Sequence, residues 1–190
     1  KEVIRTPADD AIGYIKKTMS GDVMNIKKIR VDKEGAGMGW GAVYAQYLES
    51  MDQISGQGNG LSVSRQLYKG DEALNESAPL KVGDKITVRL TVKADRDMDF
   101  VQIKDDRAAC MEPLQAVSGF RWSNGLGYYQ ATKDASTQFF IDQMRKGTYV
   151  IEYQVYVNRT GEYQAGIATV QSAYAPEFGG HTRGYRVMVE

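Results

Sequence analysis

The chain has one cysteine, Cys110, and one histidine, His181, in 190 residues. A single thiol cannot close an internal disulfide or build a multi-cysteine zinc site, and one imidazole adds little to a metal-ligand set. An excess of either charge is also missing. Twenty-four Lys and Arg balance 24 Asp and Glu, so no overall field draws the chain to nucleic acid or to an anionic membrane. Apolar runs are short. The longest, such as Thr148-Tyr-Val-Ile151, are strand-sized and far below the roughly 20 residues of a membrane-spanning helix, which predicts no direct insertion of this stretch into a membrane. A phosphate loop is absent as well: Gly119 to Gly127 lacks both the lysine and the helix that such loops feed. No cofactor is implied. The chain opens at Lys1-Glu-Val-Ile4 with neither an initiator Met nor a signal peptide, and is read as a piece of something larger.

What is present points to strands. Twelve Tyr, five Phe and two Trp occur with 20 Gly, a composition of pleated surfaces separated by turns. The first fifty residues break into three strand-like pieces, Ala11–Met19, Met24–Val31 and Gly39–Leu48. Ser50 to Gly60, with three glycines in its last six residues, reads as a flexible linker. After it, Leu61–Tyr68 alternates, and Leu80-Lys-Val-Gly-Asp84 turns into Lys85–Lys93, the clearest period of two in the chain. Ile86, Val88, Leu90 and Val92 are expected to face inward there. Ala116 to Gly127 reads as a long excursion. Strands follow at Tyr128–Ala131, Thr137–Asp142 and Thr148–Val157, the last with Tyr149, Ile151, Tyr153, Val155 and Val157 on its core face. A hairpin at Asn158–Gly161 then leads into Tyr163–Val170, and Gly184–Glu190 is the final strand. Strands at this spacing, without helical crossovers, predict an all-β chain: an antiparallel β-sandwich over residues 59–190, preceded by strands of a smaller β-domain in residues 1–55.

The stretch from Asp99 to Pro113 carries the densest chemistry. Asp95, Asp97, Asp99 and Asp106 imitate a calcium loop, but the sixth position is Phe100 rather than Gly, and the twelfth lacks the Glu that ligates with both oxygens. Asp105-Asp106-Arg107 reads as a charged turn. Cys110-Met-Glu-Pro113 resembles an internal-thioester signature, except that the fourth position must be glutamine, and Pro113 has no side-chain carbonyl. Cys110 and His181 would make a nucleophile and base only if the fold joined them, and a thiol among Ala108, Ala109 and Met111 is more simply a small buried hydrophobe. The aromatic run Phe120–Tyr129 offers a stacking platform for a glycan or peptide on Trp122, Tyr128 and Tyr129. The simpler expectation is that it closes one end of the sandwich and buries Trp122.

Several phrases, taken together and in order, resemble the C-terminal end of the bacterial alpha-2-macroglobulin family. They are Leu80-Lys-Val-Gly-Asp84 before an alternating strand, Phe100 to Leu114, Gly147–Val157, Arg159–Tyr163 and Ala173-Tyr-Ala-Pro-Glu-Phe178. Asp97–Phe100 and Ala108–Cys110 look closest to versions from Bacteroides-like bacteria. Residues 1–55, with Gly39–Tyr44 the best match, resemble the last strands of the family's CUB-like β-domain. Where the family reads Pro-Ala-Gly, this chain has Arg107-Ala-Ala109. The resemblance implies a macroglobulin or receptor-binding-domain-like sandwich at the end of a large, exported, membrane-anchored protein of the cell envelope or periplasm. Such a protein entraps proteases when a bait segment is cut. This module would hold no catalytic residue. Its partners would be the thioester-type and macroglobulin domains of the same protein, and target proteases only through the intact parent.

Overall fold

The computed structural model describes residues 16–20, 26, 28–44, 46, 48–75 and 78–190. It divides into two compact units, Lys1–Gln46 and Tyr47–Glu190. In the first unit the described residues form neither helix nor strand. Gly39–Tyr44, expected to begin a strand, does not form one, and Trp40 and Tyr44 are exposed. A strand is held by a neighbouring ladder, and the described residues of this unit offer none. Most of the expected strand Ala11–Met19, and three of the eight residues of Met24–Val31, lie outside the described residues.

The second unit is built almost wholly of strands. After a 3-10 turn at Met51–Gln53 come β1 (Gln57–Asn59), β2 (Leu61–Lys69), β3 (Glu72–Ala73), β4 (Lys85–Ala94), β5 (Met98–Asp106), β6 (Met111–Pro113) and β7 (Gly119–Ser123). These are followed by β8 (Leu126–Thr132), β9 (Ser136–Met144), β10 (Gly147–Val157), β11 (Gly161–Ala165), β12 (Ala168–Ser172), β13 (Gly179–His181) and β14 (Tyr185–Val189). One layer runs β6-β10-β4-β2, with β3 beside β2, and the other runs β12-β5-β9-β8-β7. The short strands β1 and β13 carry the hydrogen-bonded path from β2 round to β12. The strands pair antiparallel, which lets one face of each layer be apolar and the other wet.

The inner faces follow from alternation. Ile86, Val88, Leu90 and Val92 of β4 are buried, as are Ile151, Tyr153, Val155 and Val157 of β10. Across from them lie Val101 and Ile103 of β5 and Phe139 and Ile141 of β9. The Phe139 ring packs 5.9 Å from that of Tyr153. Each large side chain removed from water in this way contributes roughly 1.5–3 kcal/mol.

Five expectations are corrected. The supposed linker is structured: Gln57–Asn59 is a strand between β2 and β13. The excursion from Ala116 is a hairpin of β7 and β8, turned by Asn124 and Gly125 at φ 51° and 77°, which is the backbone that an Asn-Gly hairpin turn requires. The segment after Asn158 does not fold back on β10, because β11 pairs with β14 instead. Nor is Tyr163–Val170 one strand. It breaks at Gly166, where a β-carbon would lie 2.4 Å from Cβ of Asp106. Finally, Asp105-Asp106-Arg107 is not a solvated turn, since Asp105 and Arg107 are buried.

Between the layers, Arg65 of β2 and Asp105 of β5 form an ion pair with side chains only 5% and 1% exposed. Arg65 Nη1 donates to Asp105 Oδ1 at 2.5 Å and to the Asp106 carbonyl at 3.2 Å, and Nη2 donates to the Gly166 carbonyl at 2.5 Å. Tyr153 Oη of β10 donates to Asp105 Oδ2 at 2.7 Å. The guanidinium lies 4.9 Å from the centre of the Tyr185 ring on β14. Five segments therefore meet on one buried charge pair. A second buried arginine, Arg107, donates to Thr137 Oγ1 at 2.7 Å and to the carbonyls of Lys133 and Asp134. In this way it ties the end of β5 to the β8–β9 turn.

Removing one partner strands the other charge, so Asp105→Ala is expected to cost about 3–5 kcal/mol in denaturant unfolding. The double change Arg65→Leu, Asp105→Leu should cost less than that single change. A double variant at least as damaged as Asp105→Ala would refute the account. Burial, joined by the Asp105 carboxylate, holds the Tyr153 phenol well above its ordinary range. A raised folded pKa means that this contribution is complete below the unfolded tyrosine value of about 10 and is lost as the pH climbs toward the folded one. An alkaline tyrosinate titration should therefore leave Tyr153 protonated until unfolding, and Tyr153→Phe should remove that late step. A late step that survives in Tyr153→Phe would contradict it.

Candidate functional site

Two exposed aromatic surfaces stand out on the second unit. The first lies on the outer face of the β7-β8-β9 end. Strand alternation sends Phe120 and Trp122 of β7 outward, 80% and 77% exposed. Register places Phe120 opposite Tyr129, and Tyr129 opposite Phe140 of β9. These three rings thus form a row across three strands, with Phe120 edge-on to Tyr129 at 5.1 Å. Trp122 sits opposite Gly127, and its ring covers that residue so closely that a β-carbon there would lie 2.8 Å from two ring carbons. Gly127 is therefore what lets the indole lie against the strand. At the end of its layer, β7 leaves one edge without a strand partner among the described residues.

The sequence-predicted trio is divided by the pleat. Trp122 and Tyr129 share the outer face, whereas Tyr128 is buried and packs its ring 5.6 Å from Phe139. Burial raises the Tyr128 phenol above its usual range. The expected burial of Trp122 is overturned, because β7 is an edge strand over whose outer face no described strand is laid. Phe120 opens the aromatic run that the sequence offers as a platform without standing among its three stacking residues, and Phe140 lies outside that run. The register linking residue 120 to residue 140 passes through the β7–β8 hairpin, which the sequence pattern presents as a loop.

The second surface joins β5 to the β12–β13 connection. Phe100 adopts φ 52°, a left-handed backbone that an aromatic residue rarely accepts. Its ring meets Tyr174 edge-on at 5.1 Å, and both side chains are exposed. Nearby, the Arg96 guanidinium lies 4.7 Å from the Phe178 ring centre, and Asn59 Nδ2 donates to the Glu177 carbonyl at 2.7 Å. A strained residue holding an exposed ring is the kind of local cost that accompanies presentation of that ring to a partner.

Polar chemistry is sparse. Cys110 is fully buried, and burial pushes its thiol up, away from the nucleophilic thiolate. His181 lies in β13, its Nδ1 3.1 Å from the Thr182 carbonyl, and no hydrogen bond among the described residues joins it to Cys110. The acidic residues that imitated a calcium loop are spent elsewhere. Asp95 pairs with Arg96 at 2.8 Å, Asp97 accepts from the Lys146 amide at 2.7 Å, and Asp106 pairs with Lys104 at 3.0 Å. Among the described residues no cluster of three or more His, Cys, Asp or Glu could hold a metal ion.

Fold and surface together define an antiparallel β-sandwich domain that displays aromatic side chains on one outer face. Residues 60–177 match the model of the bacterial alpha-2-macroglobulin MG10 domain. The chain belongs to that family. It is similar in fold to Salmonella alpha-2-macroglobulin reacted with methylamine, at 19% identity and a TM-score of 0.59 over 72% of this chain and 10% of that one. It is also similar to trypsin-activated alpha-2-macroglobulin from Escherichia coli (15%, 0.61, covering 72% and 11%). An E. coli alpha-2-macroglobulin fragment running from domain MG7 to the C-terminus matches at 17% identity and a TM-score of 0.60, over 71% of this chain and 24% of that one. In sequence it is 29% identical over 138 residues to Circularly permutated Ras protein 2 of Dictyostelium discoideum, which covers 69% of this chain and 4% of that protein. The chain thus spans about a tenth of the Salmonella chain that it matches.

If Phe100 presents its ring at a conformational cost, Phe100→Gly should leave thermal stability unchanged or raise it by up to about 1 kcal/mol, since glycine occupies this region freely. A loss greater than about 1 kcal/mol would instead make the ring part of the packing.

Proposed function

We propose that this chain supplies a non-catalytic module of a large bacterial alpha-2-macroglobulin-like protein that traps proteases. In this reading it docks on neighbouring domains through its exposed aromatic residues and moves with them when the protein is cleaved. The observation that carries the reading is the outer face of β7–β9. Phe120 and Trp122 stand out from an edge strand that no other described strand covers. Large apolar side chains grouped in this way on an open edge are a liability in a free domain and an asset at an interface. Family membership supports the wider context, and so does the burial of the one thiol, which argues against a cysteine nucleophile. Residues 1–55 would then be the closing part of a CUB-like neighbour. The parent would be an exported, membrane-anchored protein of the cell envelope or periplasm, meeting proteases only as an intact molecule.

A second reading rests on one specific observation. The Trp122 ring packs against Gly127 and stays 77% exposed, and with Tyr129 on the same face of the sheet it offers a surface on which a sugar ring would stack. Glycan-array binding that disappears in Trp122→Ala while folding persists would favour it.

The main reading is tested in the parent polypeptide. Incubated with trypsin, the parent should suppress cleavage of a protein-sized substrate and spare cleavage of a small peptide. The same parent carrying Phe120→Ser and Trp122→Ser should suppress it less. The isolated chain with these two changes should unfold within about 0.5 kcal/mol of the original, as exposed positions usually do. A parent that leaves both substrates equally cleaved would overturn the proposal.

A further inference from the structure

The chain passes from the first unit to the second between Gln46 and Tyr47, but among the described residues the buried core begins only at Leu61. The segment before Leu61 is laid along the C-terminal strands. Gln57–Asn59 pairs with β13. The same line continues toward the N-terminus through Gly56, where a β-carbon would lie 3.3 Å from the Arg183 nitrogen. The Gly184 amide then donates to the Ile54 carbonyl at 2.9 Å. Met51–Gln53 forms a turn in which the Gln53 amide donates to the Ser50 carbonyl at 2.9 Å. Arg186 Nε donates to Asp52 Oδ2 at 2.8 Å. Gly184 is what lets this turn settle on the sheet, since a β-carbon there would lie 1.4 Å from the Met51 carbonyl oxygen.

These attachments differ in kind from those of the sandwich. None of the residues Met51–Asn59 belongs to the buried core, and the 3-10 turn buries none of its own. The segment is held by backbone hydrogen bonds and by an ion pair whose arginine is 58% exposed. A hydrogen bond exchanged for one with water contributes little net, and a half-exposed ion pair contributes little more. Backbone fixed in this way, with few buried apolar contacts, is where local opening needs the least free energy. Attachment strengthens toward β1. There the ladder is continuous, Asn59 Nδ2 donates to the Glu177 carbonyl at 2.7 Å, and a β-carbon on Gly180 would lie 2.7 Å from the carbonyl oxygens of Gln57 and Leu61.

We infer that residues 50–56 are a detachable strap, which peels away from β14 while the sandwich stays folded. Asp52 is the latch, because its bond to Arg186 is the outermost attachment and is the first to be loaded when the chain before it moves. Peeling stops at β1, which is clamped between β2 and β13. It shifts the point at which the connector is anchored from Asp52 to Gln57. The residues released, 52 to 56, reach about 17 Å when extended, so the connector gains up to that length with no loss of core contact. The inference goes beyond the proposed function and needs none of it, since it concerns bonds within the second unit alone.

The test is native-state hydrogen exchange on the 190-residue chain, read by NMR at low guanidinium concentrations. The Gly184 amide, which bonds to the strap, should exchange at least about tenfold faster than the amides of β4 and β10, and its rate should depend little on denaturant, as local openings do. Amides of β14 bonded to β11 should keep the protection of the core. Asp52→Asn should speed Gly184 exchange about two- to fivefold and leave β4 unchanged. Asp52→Cys with Arg186→Cys puts a covalent clamp in place of the ion pair. Oxidised, this variant should exchange Gly184 at least about tenfold more slowly than when reduced, because the closed clamp forbids peeling. The inference is overturned if Gly184 follows β4 in both rate and denaturant dependence, or if the β14 amides open together with it. It is also overturned if Asp52→Asn leaves Gly184 exchange unchanged, or if the oxidised and reduced clamps exchange alike.

Discussion

A single buried charge pair determines how the rest of this sandwich can be arranged. Arg65 and Asp105 lie between the layers with almost no solvent contact, and a lone buried charge would cost several kcal/mol. Each of the surrounding groups answers that cost. Tyr153 gives a proton to the second carboxylate oxygen, Gly166 and Asp106 offer carbonyls, and the Tyr185 ring lies near the cation. Burial alone would lower the Arg65 pKa, and Asp105, with Tyr185 and Tyr153 adding to it, turns the balance to a raised value. Because these groups come from β2, β5, β10, the β11–β12 connection and β14, the pair fixes relative positions that hydrophobic contact alone would leave free to slide. A non-directional core sets how much is buried, whereas the guanidinium fork sets the register in which it is buried.

This constraint reaches the chain's most recognisable phrase. Asp105, Asp106 and Arg107 look like a hydrophilic turn and are in fact the polar underside of the core. Arg107 holds the neighbouring β8–β9 turn through Thr137, Lys133 and Asp134, so this charged phrase is fixed by a buried side-chain network. The strand break at Gly166 has the same origin. Its carbonyl must reach Arg65 while its α-carbon passes beside Asp106, and only a residue without a β-carbon fits there.

The outer surfaces show the converse. Charged and polar residues pair locally on most of them, as Arg89 does with Glu152 and Arg186 with Asp52 and Glu162, and such exposed pairs contribute little to stability. Phe120, Trp122, Tyr129 and Phe140 on the outer face, and the Phe100–Tyr174 pair, stand outside the buried core that Tyr128 and Phe139 help to fill. The position of Phe120 and Trp122 on an edge strand is therefore better understood through what the domain meets than through what holds it together.

The sequence was enough to place β2, β4, β10 and β14, and period-two alternation chose the inward residues of β4 and, apart from the half-buried Tyr149, of β10. Alternation is a local property, and one buried face imposes it directly. The same reading found Trp122 and Tyr129 as candidates and carried the resemblance that the family match bears out. What it could not decide was pairing. Whether β11 returns to β10 or crosses to β14, whether Tyr128 faces in beside an outward Tyr129, and whether Asp105 meets water or Arg65 all depend on which segments the fold brings together and not on the local pattern. The last of these is the plainest case. An aspartate and an arginine are written in the sequence as solvent-loving residues, and only the tertiary structure, by bringing them together away from water, turned them into the centre of the core.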